Sequence, residues 1–280
     1  MLKEFLIPAL IFAGIGAASG ILLTLFSKFL AVKTDERADM LNEALPGANC
    51  GACGYSGCAA YADAILKGAP TNACVMGGDA VAKKVSEIMG TEQEATERKV
   101  AFVRCLGTSL KSGDRFDFYG IPSCKSSNRF YSGSKKCPFG CLGYGDCAMV
   151  CPQGAITIKD NLASVDISKC VGCGLCAKEC PNNLIMIKKI SDYVDVACSS
   201  TFTGKDTRAA CKGGCIGCRL CEKNCPVGAI TITNNLASID HEKCTSCGKC
   251  VSVCPAKIIT DCRLPKTEEE KKPENAENKQ

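Results

Sequence analysis

The chain has 280 residues, of which 25 are cysteine and none tryptophan, with 6% aromatic residues and a formal net charge of +5. So much cysteine and so little aromatic surface exclude a fold built on one large hydrocarbon core, and the disulfide framework that explains many cysteines elsewhere belongs to short secreted chains. A modest charge, one histidine and no interleaving of basic with aromatic residues exclude nucleic acid as a partner.

Residues 5–27 carry no charged side chain. At about 1.5 Å per residue a helix over them reaches about 35 Å, more than the roughly 30 Å of a bilayer's hydrocarbon. A cleaved signal peptide would have a shorter apolar region, and here Ala17-Ala18-Ser19 runs on into Ile21-Leu22-Leu23 rather than a polar mature start. The expectation is a retained transmembrane anchor over 1–33. Lys28, Lys33 and Arg37 follow the apolar run, so the positive-inside bias places the N-terminus outside and the remainder in the cytoplasm, the reducing side that so many free thiols need. Gly16 and Gly20 suggest a close-packing face against another membrane helix.

After a polar segment, 34–42, come Cys50, Cys53, Cys58 and Cys74, spaced C-x2-C-x4-C-x15-C among glycines that let the backbone wrap a bulky group. Short helices are expected over 59–67 and 78–89. We read 34–90 as a small helical [4Fe–4S] domain; a four-cysteine zinc knot is the alternative. Residues 91–99 read as a charged, solvated linker.

Two C-x2-C-x2-C-x3-C-P runs lie at Cys215–Pro226 and Cys244–Pro255. In such a pair the first three cysteines of one run share a [4Fe–4S] cluster with the fourth of the other. That gives Cys215, Cys218, Cys221 and Cys254 for one cluster and Cys225, Cys244, Cys247 and Cys250 for its neighbour. A shift of 74 positions lays Cys141, Cys147, Cys151, Cys170, Cys173, Cys176 and Cys180 onto this module, with Gly154–Ile158 on Gly228–Ile232, the mark of a duplicated unit. The shift also carries Cys124 onto Cys198 and Cys137 onto Cys211. It predicts Cys151, Cys170, Cys173 and Cys176 for a third cluster. The fourth lacks a ligand, because Tyr144 stands where the second unit has Cys218. Cys137 is the nearest replacement, giving Cys137, Cys141, Cys147 and Cys180. The predicted architecture is α+β: the anchor, the small helical domain and two tandem bacterial-type ferredoxin modules over 100–190 and 191–264, with strands at 100–103, 194–197 and the repeated Gly-Ala-Ile-Thr-Ile segments.

Cys105, Cys124, Cys198, Cys211 and Cys262 remain. The first four would complete a sixth cluster and leave Cys262 free, for six [4Fe–4S] clusters, at least five. An alternative pairs Cys124 and Cys137 with Cys198 and Cys211 and moves Cys105 to the gap at Tyr144. Unligated buried thiols are the third reading. His241 is expected on the surface beside Cys244, and residues 265–280 are too polar and charged to pack, so a disordered tail is expected there.

The order of these signatures, an anchor, then Leu45-Pro-Gly-Ala-Asn-Cys-Gly-Ala-Cys-Gly-Tyr-Ser-Gly-Cys58, then Gly140-Cys-Leu-Gly-Tyr-Gly-Asp-Cys147 leading into ferredoxin repeats, resembles the B subunit of the Rnf electron-transport complex in its long, clostridial-type form. The resemblance covers nearly the whole chain. It implies a hetero-oligomeric membrane complex that couples ferredoxin oxidation to NAD reduction and moves Na+ or H+, with this subunit relaying electrons from soluble ferredoxin to membrane and flavoprotein partners. A stand-alone membrane-anchored polyferredoxin, or an iron–sulfur subunit of another reductase, is the rival reading. The chain has no dinucleotide fingerprint in a strand–helix context, so it is expected to act as an electron-transfer subunit without a substrate-converting site. Soluble ferredoxins are usually acidic, and the basic residues around the second unit's loops, Lys212, Arg219 and Lys223 above all, are the expected docking patch.

Overall fold

The computed structural model of the chain describes residues 2–29, 35–92 and 97–263. The end of the anchor segment, the middle of the 91–99 linker and the 265–280 tail lie outside the described residues. Helix α1 runs from Leu2 to Phe29. Side chains are described in it for residues 12–27, and Phe12, Ile15, Ile21, Leu22, Leu23, Leu25 and Phe26 are all exposed. Among the described residues no helix is long and apolar enough to cross a membrane.

Three helices follow: α2 (Glu36–Ala44), α3 (Cys58–Leu66) and α4 (Gly78–Met89). The polar segment expected over 34–42 is therefore mostly helix. Asp35 caps it, its carboxylate accepting from the amide of Arg37 at 3.1 Å, and Leu41 and Leu45 drop into a core with Tyr61, Ala62, Ile65 and Val85. Gly90, at φ +66°, ends α4, with the Thr91 amide bonded back to the Ser86 carbonyl.

The two ferredoxin-like units share both strand pairs and the two helices of the cysteine loops. In the first, β1 (Lys99–Val103) pairs antiparallel with β4 (Ile185–Lys189), and β2 (Ile156–Lys159) with β3 (Leu162–Val165); the helices are α5 (Cys124–Asn128), α6 (Asp146–Met149) and α7 (Leu175–Glu179). In the second, β5 (Val194–Val196) pairs with β8 (Ile259–Asp261), and β6 (Ile230–Thr233) with β7 (Leu236–Ile239), beside α8 (Gly204–Ala210), α9 (Leu220–Lys223) and α10 (Lys249–Val253). The loop helices α6 and α7 in the first unit answer to α9 and α10 in the second. Both hairpins turn on two residues with positive φ, Asp160-Asn161 and Asn234-Asn235, which suits the twist of a tight hairpin. Their strands alternate, so Ile156 and Ile230 face in and Thr157 and Thr231 face out.

The 74-residue shift fails upstream of Cys137. Val103 pairs with Ile185 and Val196 with Ile259, so β1 and β5 correspond at a shift of 93, and the first unit carries 19 additional residues after β1. Cys105, not Cys124, is the counterpart of Cys198: each lies two residues beyond its strand, and each sulfur accepts the amide two residues on, from Gly107 and Ser200. Cys124 belongs to the insertion.

The units join along a seam. The Lys212 amide donates to the Lys111 carbonyl at 2.9 Å, the Ser112 hydroxyl to Ala210 at 3.0 Å, and Phe139 meets Phe202 edge-on at 5.1 Å. Beside the seam Lys188 is buried against Asp195. His241, expected on the surface, is half-buried there, with Nε2 3.1 Å from the Asp195 carboxylate. At the end of the linker Arg98, although exposed, donates to the carbonyls of Ile167 and Ser168 at 2.7 and 3.1 Å.

Candidate iron–sulfur centres

Four pockets in the ferredoxin-like units are each lined by four cysteines on apolar walls. One holds Cys215, Cys218, Cys221 and Cys254; a second Cys225, Cys244, Cys247 and Cys250; a third Cys151, Cys170, Cys173 and Cys176. These are the sets expected from spacing. The loops reach this shape through left-handed backbone at Gly217 and Arg219 and at Gly172 and Gly174. At Gly217 a Cβ would press on the Asn235 backbone at 3.1 Å, as one at Gly143 would on Asn161 at 2.5 Å. The two loops thus keep one shape although their cysteines differ.

The fourth cavity departs from expectation. It is lined by Cys124, Cys141, Cys147 and Cys180, and Cys137 does not line it. The Cys124 sulfur instead faces the amides of Asp146, Tyr144 and Gly145, beside the position a thiol at 144 would take. Asp146 organises this loop. Its carboxylate accepts from the amides of Cys124 at 2.9 Å and Lys125 at 3.1 Å and from the Ser123 hydroxyl at 2.9 Å. Burial pushes the Asp146 carboxyl up, but these donors outweigh it and hold it below the ordinary carboxylate value.

Cys137 lies at the seam. Cys105 and Cys211 flank Gly107, at 3.4 and 3.6 Å from where its Cβ would stand, and Cys137 lies near enough to Cys211 and Cys198 to feel their charge. The structure therefore brings Cys105, Cys137, Cys198 and Cys211 together, two from each unit, and exchanges Cys124 and Cys137 relative to the sets expected from sequence. Neither expected alternative groups Cys105, Cys124 and Cys137 as the fold does, because backbone pairing, not spacing, decides which of them meet. Lys135 is buried beside this group, donating to the carbonyls of Gly107 at 2.8 Å and Asn161 at 2.7 Å.

In the N-terminal domain Cys50, Cys53 and Cys58 lie close enough to Cys74 to raise its pKa, after burial as the main cause. Asn49 accepts the Cys58 amide at 2.8 Å where α3 begins, and a Cβ at Gly57 would stand 2.8 Å from that same oxygen. Tyr61 fixes the Cys74 loop by donating to the Pro70 carbonyl at 2.7 Å and accepting from Ala73 at 3.1 Å. Burial pushes its hydroxyl up to about 12. Sequence reasoning passed over Tyr61, which an apolar-helix pattern hides.

The donor sets fit iron–sulfur clusters. Burial pushes Cys147 and Cys105 up to about 12 and Cys137, Cys176, Cys221 and Cys250 up to about 11. Grouped thiols of this kind become thiolates when a cationic group binds among them. Backbone amides already point at the sulfurs, from Ala101 to Cys170, Ala155 to Cys151, Ala229 to Cys225 and Leu184 to Cys180, at 3.3–3.4 Å. Among the described residues no three His, Cys, Asp or Glu side chains converge to hold a single metal ion. Of the expected docking residues, Lys212, Arg219 and Lys223 are exposed, and Arg219 lines the mouth of the Cys215 cavity.

Comparison with known proteins agrees. Residues 45–76 match the family described as a putative Fe-S cluster, 163–186 a 4Fe-4S binding domain and 214–258 a 4Fe-4S dicluster domain. The chain is 43% identical to the B subunit of the ion-translocating oxidoreductase complex of Methanosarcina acetivorans, over 89% of this chain and 95% of the relative. It is 42% identical to the B subunit of the Na(+)-translocating ferredoxin:NAD(+) oxidoreductase complex of Acetobacterium woodii, over 93% and 79%, and 42% identical to the proton-translocating counterpart of Clostridium ljungdahlii, over 88% of each. The chain belongs to the family of B subunits of Rnf-type, ion-translocating ferredoxin:NAD+ oxidoreductase complexes.

Proposed function

We propose that the chain is the iron–sulfur relay subunit of a membrane-bound, ion-translocating ferredoxin:NAD+ oxidoreductase, set between reduced soluble ferredoxin and flavoprotein and membrane subunits. The observation that carries this reading is the continuous file of cysteine sites. A [4Fe–4S] cluster, when bound, supplies one-electron redox capacity at each of them. Six sets would hold clusters: Cys50, Cys53, Cys58 and Cys74; Cys151, Cys170, Cys173 and Cys176; Cys124, Cys141, Cys147 and Cys180; Cys105, Cys137, Cys198 and Cys211; Cys215, Cys218, Cys221 and Cys254; and Cys225, Cys244, Cys247 and Cys250.

Contacts between neighbouring sets support that order. Cys50 is close enough to Cys173 to raise its pKa, and Cys176 acts likewise on Cys147. The amide of Cys141 donates to the Cys105 sulfur at 3.4 Å, and that of Cys215 to the Cys198 sulfur at 3.3 Å. The second unit is the ferredoxin-facing end and the N-terminal domain the membrane-facing end. The anchor is proposed from the sequence, in which residues 5–27 carry no charge and would reach about 35 Å as a helix, with the N-terminus outside and the cysteine domains cytoplasmic.

Anaerobic purification from membranes tests the reading. The chain should come with flavoprotein and polytopic partners, and reduced ferredoxin should bleach its iron–sulfur absorbance. Recovery in full yield without partners would make it a stand-alone polyferredoxin.

A further inference from the structure

The first unit has lost a loop cysteine at Tyr144 and gained a buried carboxylate two residues later. At the matching position of the second unit, 74 residues on, stands Leu220, which is exposed. Asp146, only 3% exposed, spends its carboxylate on Ser123, Cys124 and Lys125, residues of the insertion that the second unit lacks. The insertion is held from outside as well, by the Lys125–Glu179 ion pair at 2.5 Å, which joins α5 to α7.

We propose that Asp146 is the positioning residue that draws Cys124 into the place a thiol at position 144 would fill, so that the lost cysteine and the added carboxylate form one compensated exchange. The proposal rests on the reading that Cys124, Cys141, Cys147 and Cys180 hold one cluster. Three points favour a device specific to this cavity over a general fold contact. Asp146 reaches both the amide of the substituting cysteine and the residue that caps its helix. The Cys124 sulfur faces the amides of residues 144–146, where the second unit's loop carries its own thiol. And the loop keeps its shape in both units, since Gly143 and Gly217 each run too close to equivalent asparagines, Asn161 and Asn235, to leave room for a Cβ. A carboxylate accepting two amides and a hydroxyl holds a short segment more firmly than packing alone, because charge-assisted hydrogen bonds are about twice as strong as neutral ones.

The test uses the full chain purified anaerobically in its complex, with iron and sulfide analysis and low-temperature EPR as readouts. Cys124→Ala and Asp146→Leu, the latter installing what the second unit has, should each lose about one to four iron atoms from one cluster and change one EPR signal. Asp146→Asn, which keeps one acceptor, should lose less. Adding Tyr144→Cys to either Cys124→Ala or Asp146→Leu should restore the iron and the signal, because the loop then carries its own thiol. If Cys124→Ala loses iron while Asp146→Leu retains all of it, the positioning role is overturned and the ligand set stands. Full iron in Cys124→Ala would overturn the ligand set and this proposal with it. Loss of several clusters in Asp146→Leu, unrescued by Tyr144→Cys, would make Asp146 a general folding residue and overturn the proposal.

Discussion

The backbone amide of Cys215 donates to the sulfur of Cys198 across 3.3 Å, so the residue that begins one cysteine loop also braces a thiol at the seam. Cys141 does the same for Cys105 at 3.4 Å. Amides aimed at sulfur stabilise negative charge there and are one of the levers that set cluster potentials. On the proposed reading of the seam as a cluster site, this pseudo-symmetric pair of contacts would make it part of the relay rather than a passive joint.

The seam assignment predicts a pattern of non-additivity. With six clusters the chain holds about 24 iron atoms, and Cys137→Ala or Cys198→Ala should each remove about four or fewer. The double variant Cys137→Ala/Cys198→Ala should lose no more than either single change, since both act on one site. Cys124→Ala/Cys198→Ala should lose the sum of its two. Iron and sulfide analysis decides; the reverse pattern would return Cys124 to the seam set.

Lys135 should tune that same site. Its ammonium is buried with two carbonyl partners, and its charge lowers the pKa values of Cys105, Cys137 and Cys211 against the dominant effect of burial. A fixed cation favours the more reduced, more negative state. Lys135→Met should therefore lower the midpoint potential of one cluster, by roughly 40–90 mV for an interaction of about 1–2 kcal/mol at an effective dielectric constant near 20. An EPR-monitored redox titration in which no potential moves would show that Lys135 only packs.

Much of this was legible in the sequence because ligand spacing is local. Three of the four cavities contain the cysteines that the C-x2-C-x2-C-x3-C rule names, since each loop has to close on itself whatever surrounds it. The roles of Cys105, Cys124 and Cys137 were not legible. They depend on the β1–β4 register and on hydrogen bonds from Asp146 to residues 21–23 positions away, and a constant shift cannot see a 19-residue insertion. Helix α2 was missed because it offers the core only Leu41 and, just after it, Leu45. Its one local signal was Asp35 ahead of Glu36 and Asp39.

Thiol accounting gives a third prediction. Six sets of four leave Cys262, which is exposed and follows β8. In the loaded protein one thiol should react rapidly with an alkylating reagent, and Cys262→Ser should abolish it. Cys218 and Cys247 are also exposed, so they report on loading: blocked when iron is bound, reactive after chelation. Labelling of either in the fully loaded protein, read by peptide mass spectrometry, would contradict its ligand set.

The anchor predicts a topology. If the apolar run is the proposed anchor, Lys28, Lys33 and Arg37 after it would hold everything beyond it in the cytoplasm. In sealed right-side-out cells a membrane-impermeant thiol reagent should leave Cys262 unmodified, and external protease should not cut beyond about residue 35, a limit set by the length of a span. Labelling of Cys262 from outside would reverse the orientation and remove soluble ferredoxin as the electron donor.

The last prediction concerns where ferredoxin docks. Electrons can enter a file of sites efficiently only at an end or at an exposed member, and the Cys215 cavity offers one, with Cys218 exposed and Arg219 at its mouth. Lys212 and Lys223 stand exposed in the same loop region, and Arg219 keeps only a long, solvent-screened contact with Glu222 at 3.8 Å. An acidic carrier would be steered to this face, because complementary charge raises association rates and does so most at low salt. Reversing Lys212, Arg219 and Lys223 to glutamate should slow ferredoxin-driven reduction by roughly 10-fold or more at low ionic strength, within the range electrostatic steering supplies, and should flatten its salt dependence. Reduction by dithionite, which needs no docking face, should be unchanged, and the iron content should stay full. An unaltered ferredoxin rate with an unaltered salt slope would move the docking face to the first unit, whose insertion carries Lys111, Arg115, Lys125 and Arg129.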